Sequence, residues 1–255
     1  MGVLADILAQ KQRELPGLRT LRLPAPPARR EVSLSRARNA GRLSLITEIK
    51  RRSPSAGKLS TVLGVGERAR AYERAGASML SVLCDAQFFD GDFQHLQEAR
   101  AVTTIPLLCK EFVIDESQLD AARAFGADAV LLIVRCLSPG RTTELIAAAR
   151  ARELVPFVEV ADEEELKVAL DGGADFVGVN ARDLDTLVMD AARAARVMAA
   201  IPDGVVRAHF SGLRQPEDVT RIRQSGADAA LVGETLMRAD DPEPLLRALA
   251  DAARA

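Results

Sequence analysis

Four short segments of this 255-residue chain repeat one pattern. RAGASMLSVL, AFGADAVLLIV, DGGADFVGVN and SGADAALVGE each join a helix end to a glycine turn and an apolar run. Their glycines, Gly76, Gly126, Gly173 and Gly226, recur at intervals of 50, 47 and 53 residues. One βα unit with its loops needs about half that length, so each interval holds two units. The unmarked strands are PLLCKEF (Pro106–Phe112), VPFVEVA (Val155–Ala161) and VVRAHF (Val205–Phe210), and LSLITEIK (Leu43–Lys50) precedes the first marked one. Eight strands result.

The segments between them, such as ESQLDAARAFG and PEDVTRIRQSG, read as amphipathic helices that start at acidic or capping residues and stop at glycine. Strands this apolar are buried on both faces, as parallel strands are. The economical fold is a (β/α)8 TIM barrel with an N-terminal helical extension, residues 1–40 forming the extension and 41–255 the barrel of a single domain. A doubly wound open sheet competes, but its first strand should be followed by a glycine-rich turn, and KRRSPSAGK is not one.

Composition sets the partner class. A net charge of -2, with acids and bases interspersed, points away from nucleic acid and membrane surfaces toward a small-molecule ligand. The start, MGVLADILAQKQREL, carries charges at helical spacing and is expected to be a helix rather than a signal or a span, in a cytoplasmic protein. Cys84, Cys109 and Cys136 have no paired spacing and are expected to be reduced and mostly buried. With two histidines in the chain, no Cys/His metal cluster is expected.

In such barrels the active site lies at the C-terminal ends of the strands. Those ends carry Glu48 and Lys50, Lys110, Glu159, Asn180 with Arg182, Phe210-Ser211-Gly212, and Gly233. Residues two apart on a strand share a face, so Glu48/Lys50, Lys110/Phe112 and Asn180/Arg182 can each point inward. Ionisable side chains facing a barrel interior are costly unless paired or functional. Two lysines among two glutamates suit an anion-binding, acid–base site, with Lys110 as acid and Glu159 as base. Ser211-Gly212 and Gly233, after the last two strands, stand where barrels bind phosphate through backbone N–H groups. Phe89, Phe112, Leu131 and Leu184 offer a slot for a flat ring.

ITEIKRRSPSAGK, LLCKEFVIDESQLDAARAFGADAVLLIV, VPFVEVADEEELKVALDGGADFVGVNARDL and ALVGETLM together resemble the indole-3-glycerol-phosphate synthase family, over nearly the whole chain. The resemblance implies a ring closure that takes 1-(2-carboxyphenylamino)-1-deoxyribulose 5-phosphate to indole-3-glycerol phosphate, without metal or organic cofactor. It assigns Lys110 as general acid and Glu159 as base in the dehydration. Lys50 holds substrate anions, Glu48 and Asn180 shape the polar network, and Ser53 and Arg182 support loops and substrate. Ser211, Gly212, Gly233 and the backbone of Glu234 cradle the phosphate. The partner it implies is a phosphosugar-anthranilate substrate, bound by a monomer or weak homo-oligomer.

The chain departs from the family pattern at several points. Phe210 stands where the family has the glutamate of Glu-Ser-Gly, and Ala181 replaces a polar residue. Cys84, Asp92 and Ala161 replace Thr, Ser and His or Asn. Phe210 removes an anionic partner of the lysines and, if the alternation holds, brings an apolar ring against substrate and the acid–base pair. Three outcomes stay open: a retained synthase, a paralogue acting on a modified anthranilate-derived phosphosugar, or a phosphate- or partner-binding protein without catalysis.

Overall fold

The computed structural model describes residues 2–34, 41–54, 57–184 and 186–254. Eight parallel strands close into a barrel: β1 (Ser44–Ile49), β2 (Met79–Leu83), β3 (Leu107–Lys110), β4 (Ala129–Ile133), β5 (Val155–Val160), β6 (Phe176–Asn180), β7 (Val206–Phe210) and β8 (Ala229–Val232). Each strand pairs with its sequence neighbours, and β1 closes the ring against β8 with Ser44 opposite Ala229. Helix α1 (Val3–Thr20) precedes the first strand. The boundary expected at residue 40 lies outside the described residues. No helix among the described residues is long and apolar enough to cross a membrane.

The third strand ends earlier than its sequence suggests, at Lys110 rather than Phe112. The Glu111 carboxylate accepts the Phe112 amide at 2.6 Å, which removes that amide from the ladder. In the same way Glu165 accepts the Ala161 amide at 2.8 Å, and β5 stops at Val160. A short antiparallel hairpin, Arg52–Ser53 against Gly57–Lys58, was not expected; it follows β1 at the catalytic end.

Strand alternation divides the apolar residues into two cores. Outward residues such as Leu45, Leu80, Cys109, Val130, Val158 and Val177 pack against the helices. Inward residues, among them Ile46, Met79, Leu108, Leu131, Phe157, Ala208 and Leu231, fill the barrel. Leu4 and Ile7 of α1 belong to this second cluster, so the start of the N-terminal helix packs over the barrel interior.

The Gly-Ala-Asp repeat has a structural meaning. Asp128 accepts the Leu107 amide and Asp228 the Arg207 amide, each at 2.8 Å. Each carboxylate thus caps the start of the preceding strand, at the barrel end away from the chemistry. Asp128 also holds Arg100 at 2.9 Å, in a pair with almost no solvent contact. Breaking such a pair costs about 3–5 kcal/mol, because the remaining charge is left buried and uncompensated. Asp128→Ala is therefore expected to lower unfolding free energy by about 3 kcal/mol in urea titration, while leaving ligand affinity at the opposite end within about twofold.

Candidate active site

Every residue singled out from the strand ends and the family resemblance lines one cavity of about 520 Å³ at the C-terminal mouth of the barrel. Alternation explains the convergence. Leu108 and Lys110, Phe157 and Glu159, Gly178 and Asn180, and Ala208 and Phe210 are spaced two apart, and the lower member of each pair faces the interior. The register sets Leu83 beside Lys110, Ile133 beside Glu159, and Asn180 beside Phe210.

Lys110 is the centre of the polar network. Its Nζ lies 3.7 Å from a carboxylate oxygen of Glu48 and 3.7 Å from one of Glu159. Lys50 Nζ holds the other Glu48 oxygen at 2.6 Å. Burial alone would raise the Glu48 pKa, but the two ammonium groups outweigh it and hold it below the usual carboxylate value. Asn180 Nδ2 donates to Glu159 at 2.9 Å, and Ser211 Oγ donates to Asn180 Oδ1 at 3.0 Å. One connected line of contacts runs from the turn after β7 through Asn180, Glu159, Lys110 and Glu48 to Lys50.

Phe210 points inward and is buried. Its ring centroid lies 4.7 Å from Lys110 Nζ, a cation–π contact worth about 0.5–2 kcal/mol. The ring turns its face to the ammonium and fits there because Gly178 has no side chain. A Cβ at Gly178 would stand 2.5 Å from Phe210 Cε2.

The turn after β7 has an unusual backbone. Ser211 has φ 73° and Gly212 φ 89°, consecutive left-handed residues. For a non-glycine residue this costs about 1–2 kcal/mol, and such strain concentrates at functional sites. Across the mouth, Gly233 precedes the short helix Glu234–Arg238. A Cβ at Gly233 would stand 2.6 Å from Glu48 Oε1, so glycine is what lets Glu48 reach across to the lysines. Ser211, Gly212, Gly233 and Glu234 thus share one side of the cavity, with Arg182 close by. Arg182 is fixed by its guanidinium donating to Leu187 O at 3.0 Å, and by its amide donating to Asn180 Oδ1.

The cavity also has an apolar lining. The ring centroids of Phe89 and Phe112 lie 5.9 Å apart, and Leu131 and Leu184 line the same cavity. Ser53, on the hairpin, lines the same cavity. Sequence reasoning missed the contribution of α1, whose Val3, Leu4 and Ile7 complete this wall. It also missed Lys11, which lies in the buried stripe of α1 with Leu4, Ile7 and Leu15. A lysine four residues from each of two buried apolar neighbours was the available signal. Lys11 Nζ reaches Asp85 at 2.7 Å, Glu14 at 2.8 Å and Glu111 at 3.0 Å. Burial would lower its pKa, but these carboxylates hold it above the usual lysine range. Glu111 goes the other way: burial, only partly offset by Lys11, pushes its pKa up to about 7.

A family model for indole-3-glycerol phosphate synthase matches residues 4–249. The chain belongs to the indole-3-glycerol phosphate synthase family. Two relatives carrying that description are one from Exiguobacterium sp., 41% identical over 249 residues, and one from Streptomyces coelicolor, 42% identical over 257 aligned positions. These alignments cover 98% and 97% of this chain, and 96% and 98% of the relatives. Among solved structures, a tryptophan synthase from M. tuberculosis superposes with a TM-score of 0.66 at 15% identity, covering 87% of this chain and 97% of that one. A 3-hexulose-6-phosphate synthase gives 0.65 at 16%, covering 82% and 99%. At that identity the likeness is one of fold. Phe210, the departure expected from the sequence, touches the centre of the network.

Two outcomes follow from this geometry. Gly178→Ala should drive the Phe210 ring off Lys110, costing about 1–3 kcal/mol of stability by overpacking and reducing turnover. Gly178→Ala combined with Phe210→Leu should recover most of that stability in urea titration. For Glu111, a raised folded pKa means stabilisation that is complete below the ordinary carboxylate value and lost as pH rises through about 7. Unfolding free energy should therefore fall between about pH 4.5 and 7 more steeply in the wild type than in Glu111→Gln.

Proposed function

We propose that this cavity converts 1-(2-carboxyphenylamino)-1-deoxyribulose 5-phosphate to indole-3-glycerol phosphate, releasing carbon dioxide and water. The observation that carries the reading is the position of Lys110. Its ammonium lies between two carboxylates, with an apolar wall to one side of the cavity and the Ser211-Gly212 turn lining another.

In this reading the substrate phosphate takes the backbone amides around Ser211-Gly212 and Gly233-Glu234, and the aromatic ring lies against Phe89, Phe112, Leu131 and Leu184. Arg182 and Ser53 support the loops around it. The ketone carbon is then held beside Lys110. As the ring carbon bearing the carboxylate attacks that ketone, Lys110 donates its proton to the ketone oxygen, which becomes a hydroxyl. The carboxylate departs as carbon dioxide, and its bonding pair restores the aromatic ring. Lys110 takes up a proton from solvent; Glu159 then takes a proton from the adjacent methylene carbon while the hydroxyl leaves as water with the proton that Lys110 returns. Lys50 holds the substrate carboxylate before it leaves, Glu48 pairs with both lysines, and Asn180 aims Glu159.

Phe210 fits this chemistry. The ring face steadies the Lys110 ammonium without accepting a hydrogen bond from it. The ring also excludes water from the reacting atoms and offers the substrate an apolar contact. The protein would act on this small phosphosugar in the cytoplasm, as a monomer or weak homo-oligomer.

The test follows product fluorescence in steady-state assays. Lys110→Ala and Glu159→Gln should each lower kcat by about 10²- to 10⁴-fold, with inhibition by inorganic phosphate unchanged. Normal turnover by Lys110→Ala would overturn the assignment.

A further inference from the structure

A second cavity, of about 150 Å³, shares no lining residue with the catalytic one. It lies on the outer face of β1, where Ile49 packs toward the helices, and is closed by the segment after β1, the helices Val65–Arg74 and Phe93–Arg100, and Met237. Its polar lining consists largely of donors: Arg51, Thr61, Arg68 and His95, with Glu98 exposed at the rim.

Arg68 is the unusual member. It is 1% exposed, and among the described residues no carboxylate forms an ion pair with it. Its Nη1 donates to Leu236 O at 3.0 Å, both Nη atoms donate to Ala239 O at 3.3 Å, and its Nε has no partner. Those carbonyls close the helix Glu234–Arg238, so part of the guanidinium serves as a cap. Neutral carbonyls leave its charge uncompensated, and a buried charge is costly unless it is paired. The helix that carries Arg68 adds to the positive potential. Gly64 and Val65, at its start, line the same cavity, and a helix N-terminus presents free N–H groups and the positive end of the dipole. A buried guanidinium with a free donor and a ten-residue helix start thus converge on one small space.

We propose that this cavity binds a small oxoanion of phosphate size, held by Arg68 and the start of its helix, with Arg51, Thr61 and His95 around the opening. The anion supplies the countercharge that Arg68 lacks within the described chain. It also sits where two functional segments meet. Ser60, on the segment after β1, donates its amide to Met237 O at 3.1 Å, and Met237 lies on the helix that begins at Glu234. The site is separate from the catalytic cavity, and its assignment does not rest on the synthase reading.

Equilibrium dialysis against radiolabelled inorganic phosphate, at an ionic strength held constant with chloride, reads the site directly. Wild type should bind one phosphate per chain more than Arg68→Met, whatever the catalytic cavity contributes to both, and sulfate should compete for it. Arg51→Gln, at the exposed rim, should keep the full stoichiometry and weaken that phosphate by about two- to fivefold. Equal stoichiometry in wild type and in Arg68→Met that is folded by circular dichroism would overturn the proposal. Should Arg68→Met fail to fold, an unchanged phosphate affinity in Arg51→Gln would overturn it instead. Neither variant touches the catalytic residues, so the synthase reading stands or falls separately, on turnover by the wild type.

Discussion

The site depends on one charge placed where four strands converge. Lys110 Nζ has a carboxylate oxygen 3.7 Å away on either side, one from β1 and one from β5, and an aromatic face 4.7 Å away from β7. Only a closed barrel brings these strands to a common axis, and only the two-residue alternation turns all four side chains inward. The rest of the architecture serves that placement. The aspartates of the repeat fix strand starts at the far end, and the apolar interior sets the depth at which the charged layer sits. Asn180 and Ser211 then tie the charged layer to the strained turn after β7.

Phe210 shows how such a site can place an aromatic ring, rather than a further carboxylate, against its lysine. The ammonium already has a carboxylate on either side. A ring face supplies a weaker attraction with no basic atom to compete for the proton. The exchange needs room, and Gly178 provides it on the adjacent strand. Phe210 and Gly178 form one unit, and changing either alone disturbs Lys110.

Much of this was legible in the sequence because it follows from periodicity. The spacing of Gly76, Gly126, Gly173 and Gly226 fixes the eight-strand count, and alternation picks out Glu48, Lys110, Glu159, Asn180 and Phe210 as one inward layer. Less legible were features set by side-chain bonds between distant segments. β3 ends at Lys110 because Glu111 takes the next amide, which no strand propensity reveals. The docking of α1 depends on Lys11 meeting carboxylates 74 and 100 residues further along, a contact without a local signature. The role of Gly178 was hidden for the same reason, since its meaning comes from a ring on the neighbouring strand. Local pattern reports the face a residue occupies, and tertiary contact decides what it meets there.

The central claim is that a cavity with Phe210 beside Lys110 is a working synthase site. The most direct measurement is formation of indole-3-glycerol phosphate by the wild-type protein from 1-(2-carboxyphenylamino)-1-deoxyribulose 5-phosphate, followed by fluorescence with carbon dioxide release measured in parallel. Turnover with one carbon dioxide per product is expected. Absence of product from both the wild type and Phe210→Glu, while inorganic phosphate still binds, would contradict it.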